Sequence, residues 1–127
     1  MTTRNEIEAV NEAFVAAINR GDAASISALY TADCSVLVPE HATLHGPEEV
    51  REFFGGMIDS VGGTTTLEIV ELKDAGDWAY QWLHYTLTAD AMSDSGRVVE
   101  ILQRHEDGSW KIKLSIFNSD RVAEDQV

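Results

Sequence analysis

The chain has 127 residues, with nine basic side chains against 22 acidic ones and a formal charge of −13. That length suits one domain, residues 1–127, and that charge repels phosphate backbones and anionic membranes, so neither nucleic acid nor a membrane is an expected partner. No apolar run approaches the roughly 18 residues of a spanning helix, and the start (MTTRNEIEAV) is polar and acidic rather than signal-like. A single cysteine, Cys34, excludes an internal disulfide and points to a reducing, cytoplasmic setting.

Thr3 and Glu6 form a capping-box pattern, so the first helix is expected to begin at Thr3 or Arg4. Ile7, Val10, Phe14 and Ile18 give it an apolar stripe, with alanines as close-packing fillers. Gly21 ends it, and Asp22 can cap a second, short helix running to about Tyr30. Cys34–Val38 reads as a short strand ended by Pro39, and a loop follows. Gly46-Pro47-Glu48-Glu49 opens a third helix, whose stripe runs through Val50, Phe53, Phe54, Met57 and Ile58. From Thr64 the pattern changes to strands over Thr65–Leu72, Trp78–Thr88, Arg97–His105 and Trp110–Asn118. The expected turns are Asp74–Asp77, Ser93–Gly96 and Asp107-Gly108, the last either a three-residue loop Glu106-Asp107-Gly108 that pairs even residues with even or a two-residue turn that pairs even with odd. Helices followed by a meander give an α+β fold, with the helices on one face of a curved sheet.

Tyr80, Trp82, His84 and Thr86 share one face of a strand, because side chains alternate with a period of two. Rings with one imidazole suit the wall of a small-molecule cavity better than an ordinary core. The odd positions Leu83, Tyr85, Leu87, Val99, Ile101 and Phe117 form the other face, interrupted by Gln81, Gln103 and Lys113. Three helices can cover one face only, so this second apolar face predicts a homodimer through the sheet.

The run FVAAINRGD into LYTADCSV, then HGPEEVREFF, then the closing WKI and FNSD, resembles the SnoaL-like and ketosteroid-isomerase-like proteins over nearly the whole chain. The resemblance implies the cone-shaped cystatin-like fold, also called nuclear transport factor two-like, with three N-terminal helices on the concave face of the sheet. That fold hosts isomerases, cyclases, dehydratases, hydrolases and catalytically silent assembly domains. Steroid isomerisation uses a carboxylate base, a tyrosine donor and a protonated aspartic acid. The corresponding positions here are Val38, Phe14 and Leu102, none of which can give or take a proton. The resemblance also turns the even residues of the later strands inward, among them Tyr80, Trp82, His84, Glu100, Leu102, Arg104, Ile116 and Asn118.

His84 and Glu100 are then expected to meet on adjacent strands, either as a general base with its orienting carboxylate or as a buried pair that only satisfies itself. Arg104 reads as a ligand contact or a rim salt bridge. Asn118 reads as a donor at the mouth or a strand cap. Glu40 and His41 lie on the loop after the first strand, Glu40 as a displaced base or a solvated carboxylate. His41 and His45 are too far apart on an extended segment to share a metal. No Walker loop, dinucleotide fingerprint or nucleophile elbow occurs, so neither metal nor cofactor is expected. The function read from the sequence is binding of a small, mostly apolar organic molecule, with possible cofactor-free acid–base catalysis; the alternative is a non-catalytic binding or assembly domain. The site set is His84, Glu100 and Glu40 for chemistry. Phe14, Val38, His41, Tyr80, Trp82, Leu102, Arg104 and Asn118 complete it for ligand contact.

Overall fold

A computed structural model describes residues 2–90 and 92–121. Helix α1 (Thr3–Asn19) is capped by Thr2, whose hydroxyl accepts the Asn5 N–H at 3.1 Å, one residue before the expected cap. Gly21, with φ of 76°, turns the chain into α2 (Ala23–Ser27), which Asp22 caps through the Ser25 N–H at 3.1 Å. Strand β1 (Tyr30–Leu37) begins four residues earlier than the apolar run Cys34–Val38 suggests. The short β2 (Leu44–His45) and helix α3 (Gly46–Ser60) follow. Four long strands complete the chain: β3 (Thr64–Ala75), β4 (Trp78–Thr88), β5 (Ser93–Arg104) and β6 (Trp110–Ser119).

The six strands form one sheet in the order β2-β1-β6-β5-β4-β3. All neighbours are antiparallel except β1 and β6, which run parallel across the middle and let the N-terminal half join the later meander. The fold is therefore the α+β one expected, a curved sheet with its helices on the concave side. Ile7, Ala17, Ile26, Val50 and Phe54 from the helices meet Val36, Leu102 and Ile112 from the sheet in the core.

Two local features decide which way the later side chains point. The β4–β5 hairpin reverses between Thr88 and Ser93, which pair with each other, and the Ala89 N–H donates to the Met92 carbonyl at 2.9 Å. An even-numbered loop pairs even residues with odd ones. The expected turn Ser93–Gly96 is instead the start of β5. At the next hairpin the three-residue loop is present, with His105 bonded to Ser109 and Gly108 at φ 87°. Even residues face even ones there, as Leu102 does Ile112. A bulge at Lys113 then reverses the parity of β6, setting Glu100 opposite Ser115 and Val98 opposite Phe117.

Candidate functional site

The inward parity brings one polar row to the floor of the cone. Gln81, Glu100 and Ser115 are register partners on β4, β5 and β6, and Asn11 of α1 reaches down to them. The Asn11 and Gln81 amides form a reciprocal pair, each donating to the other at 2.9 Å. The second Gln81 N–H donates to Glu100 Oε1 at 2.9 Å. Glu100 Oε2 receives only a long bond from the Ser115 hydroxyl, at 3.5 Å. One carboxyl oxygen is thus held and the other is left to the cavity.

Above this row lies a cavity of about 130 Å³ between α1, α3 and the sheet. That is room for roughly ten waters, or for a small organic molecule. Its walls are apolar side chains such as Phe14, Phe54, Met57, Leu83, Val98 and Phe117. Phe14 meets Phe54 edge-on at 5.6 Å, and Tyr85 meets Phe117 likewise at 6.2 Å. Among the described residues that line it there is no lysine, arginine or histidine. Glu100 is 8% exposed, and no cationic side chain among the described residues pairs with it. Burial pushes its titration from an ordinary 4.5 up to about 7, against the bonds from Gln81 and Ser115 that favour the charged form. Tyr30, at the start of β1, also lines the cavity. Burial first, then the Glu100 charge, lift its phenol well above the ordinary range, so it stays a donor. A carboxyl that titrates near neutrality and a permanent phenol donor can together protonate, deprotonate or hydrogen-bond a carbonyl or hydroxyl.

At the mouth a second polar group gathers. Tyr85 donates to Asp94 Oδ2 at 3.0 Å, and Ser119 donates to Asp94 Oδ1 at 2.5 Å. Gly96 makes this possible: a Cβ there would come within 2.6 Å of Tyr85 Cε2 and strike the Asn118 carbonyl.

Several expected site residues lie elsewhere. Tyr80, Trp82, His84 and Thr86 are on the outer face of the sheet, because the register of Thr88 with Ser93 reverses the assumed parity of β4. His84 is opposite Arg97, not Glu100, and both approach Asp120, at 3.7 and 3.5 Å. The His84–Glu100 pair therefore does not exist; the sheet separates them. The bulge at Lys113 likewise turns Ile116 and Asn118 outward, where both are exposed. Leu102 is fully buried core, below the cavity rather than in its wall. Val38 packs at the core edge, and Val36 takes the cavity position expected of it. Arg104 forms a rim salt bridge to Asp77 at 3.3 Å and lies over the Trp110 ring. Glu40 is exposed in a turn with φ of 55°, and His41 is exposed with its ring against Phe53. His45 is at the N-cap of α3, and its N–H donates to Glu49. Of the expected set, the cavity holds Phe14 and Glu100.

Leu83, Tyr85, Leu87 and Phe117, expected on a dimer face, line the cavity instead. The outer face carries Trp78, Tyr80, Val99 and Ile116, each at least 40% exposed. Sequence reasoning did not single out Asn11, Gln81, Ser115, Tyr30 or Asp94. Asn11 and Gln81 did leave a signal: each is a polar residue inside an apolar stripe on a buried face.

A profile of the SnoaL-like domain family matches residues 11–112. Among solved structures, a ketosteroid isomerase-like protein from Erwinia carotovora atroseptica is 25% identical. The match covers 93% of this chain and 96% of that one, with a TM-score of 0.81. A cystatin-like protein of unknown function from Nostoc punctiforme is 18% identical over 99% of this chain and 83% of that one, TM-score 0.84. An NTF-2-like protein of unknown function from Shewanella oneidensis is 16% identical over 91% and 98%, TM-score 0.82. No match was found among curated protein sequences. With its cone of six strands and a profile match over most of its length, the chain belongs to the SnoaL-like domain family.

Proposed function

We propose that the cone binds a small, mostly apolar and uncharged organic molecule, and that Glu100 exchanges a proton with it. The observation that carries this reading is the Glu100 carboxyl on the cavity floor, desolvated, with no cationic side chain among the described lining residues, and titrating at about 7. A group poised near the working pH is what general acid–base catalysis requires. Phe14, Val38 and Leu102 do not supply steroid-isomerase chemistry, so the acid–base role falls to Glu100 with Tyr30 as the neighbouring donor. Isomerisation, cyclisation, dehydration or addition of water all fall within what such a pair can do without a cofactor.

Extraction of the purified protein and mass spectrometry of the extract identify the bound molecule. Its turnover is then followed with wild type and Glu100→Gln at pH 7. Retained binding with lost turnover supports the acid–base role, and equal turnover by both overturns it. Binding without turnover by either protein establishes the non-catalytic binding reading instead.

We also propose that two copies pair through the outer face of the sheet. Trp82, Val99 and Ile116 lie side by side across β4, β5 and β6, an apolar band that the helices cannot reach. Lys73 of β3, Arg97 of β5 and Lys111 and Lys113 of β6 belong to the same sheet, together with Glu68 and Glu71 of β3. Two copies of a chain with charge −13 repel least where their cations are gathered. The buried Cys34 suits a reducing compartment, which supports a cytoplasmic location. Among the described residues no helix is long and apolar enough to cross a membrane.

A further inference from the structure

We infer that the ligand is elongate and carries a hydroxyl at its mouth end, which Asp94 binds while the other end meets Glu100. This rests on the ligand-cavity reading above and adds a second point of recognition to it. The cavity is polar at two levels and apolar between them. Gln81, Glu100 and Ser115 form the lower level, and Leu83, Val98 and Phe117 the row above. Tyr85, Gly96 and Ser119 form the next row, about 13 Å from the first at four residues along β4.

Asp94 lines the cavity one step beyond, and its carboxylate is held at both oxygens by Tyr85 and Ser119. Each oxygen has a further lone-pair direction, so the oriented group can still accept a bond from a ligand. Both Asp94 oxygens already act as acceptors, which selects a donor such as a hydroxyl. The absence of a cationic side chain among the described lining residues disfavours a carboxylate or phosphate at either end. Tyr85 here is a positioning residue. Its ring crosses Gly96 and delivers its hydroxyl to Asp94, so the geometry at the mouth is fixed before any ligand arrives.

The test uses a neutral fluorescent probe, N-phenylnaphthylamine, bound to the full chain and displaced by n-decanol or by decane-α,ω-diol. The two competitors share the apolar chain and differ by one terminal hydroxyl. In wild type the diol competes at least as well as the alcohol, although it is the more water-soluble of the two. In Asp94→Ala the diol-to-alcohol preference falls about tenfold, the worth of one bond to a charged group. Tyr85→Phe lowers the preference only in part, because the carboxylate remains and Ser119 still holds it. An unchanged preference in Asp94→Ala overturns the inference, and so does a Tyr85→Phe protein that loses the preference as fully as Asp94→Ala. In either case both competitors still displace the probe, so the cavity reading survives. If neither compound displaces the probe from wild type, the cavity reading falls and this inference with it.

Discussion

Glu100→Gln isolates the cost of the buried acid. The carboxyl titrates at about 7 in the folded protein, against an ordinary 4.5 when the chain is unfolded and solvated. Between those two values the folded state holds the proton and the unfolded state has released it. Stability therefore falls as pH rises through this window, and the loss is complete once the folded group has ionised. A displacement of that size costs the folded wild type about 3 kcal/mol. Glutamine has the same shape, never ionises, and can still accept the Gln81 bond through its carbonyl. Near pH 4.5 the variant should match wild type to within about 1 kcal/mol, the worth of one rearranged hydrogen bond. Above pH 7.5 it should be about 2–3 kcal/mol the more stable of the two. Urea denaturation followed by the fluorescence of buried Trp110 measures the difference at each pH, at fixed protein concentration because a dimer links stability to concentration. All other titrating groups cancel in the subtraction. A difference that is flat with pH would refute the reasoning, since Glu100 would then be solvated. A variant that loses ground as pH rises would show a cationic partner for the carboxylate.

Gln81→Leu removes the donor that favours the ionised form, so the Glu100 carboxyl should titrate above its wild-type value of about 7, as read from its side-chain carbon resonance. The same change strands the Asn11 amide and should cost about 2–3 kcal/mol in urea; an unmoved resonance refutes the assigned bond. Gly96→Ala drives a methyl into Tyr85, so it should destabilise by at least about 2 kcal/mol and shift the Tyr85 ring resonances; a neutral substitution would mean that the ring does not cross the strand. Ile116→Glu places a charge in the middle of the outer apolar face and should convert a dimer to a monomer in sedimentation equilibrium. A wild type that is already monomeric at micromolar concentration refutes that pairing.

The fold was legible because its signals are local and redundant. Caps, apolar stripes at helical spacing, and Asp-Gly at the last hairpin each name an element without reference to the others. The facing of the site was not legible, since it depends on parity, and parity hangs on loop lengths. Ser93–Gly96 has the composition of a turn, and the reading counted it into a connection centred near Met92. In the structure those residues open β5 for other reasons: Asp94 accepts from Tyr85 and Ser119, and Gly96 lets the Tyr85 ring pass. Asp, Ser and Gly serve a turn, a polar mouth and a close approach equally well, and composition alone does not tell these apart. The bulge at Lys113 is a second change of parity with no local mark at all. Glu100 was found because the even parity of β5 survived, whereas His84 was misplaced because the connection is three residues shorter than expected and pairs it with Arg97.

The polar floor makes the better case for function because the fold has no need of it. Gln81, Glu100 and Ser115 occupy three adjacent positions where aliphatic side chains would extend the core formed by Leu102 and Ile112 just below. Replacing a buried, hydrogen-bonded polar cluster by packed apolar groups is commonly neutral or stabilising, so a fold selected for stability alone would fill the floor. Here the acid is retained with no cationic partner among the described residues. It is held at one oxygen through a chain of amides, and its other oxygen, with only the long Ser115 bond, faces the apolar cavity. The amide pair adds no charge and moves no proton; it fixes where the carboxyl points. Glu100 is bonded closely at one oxygen only, Oε2 receiving just the long bond from Ser115. That asymmetry turns the second oxygen toward the cavity.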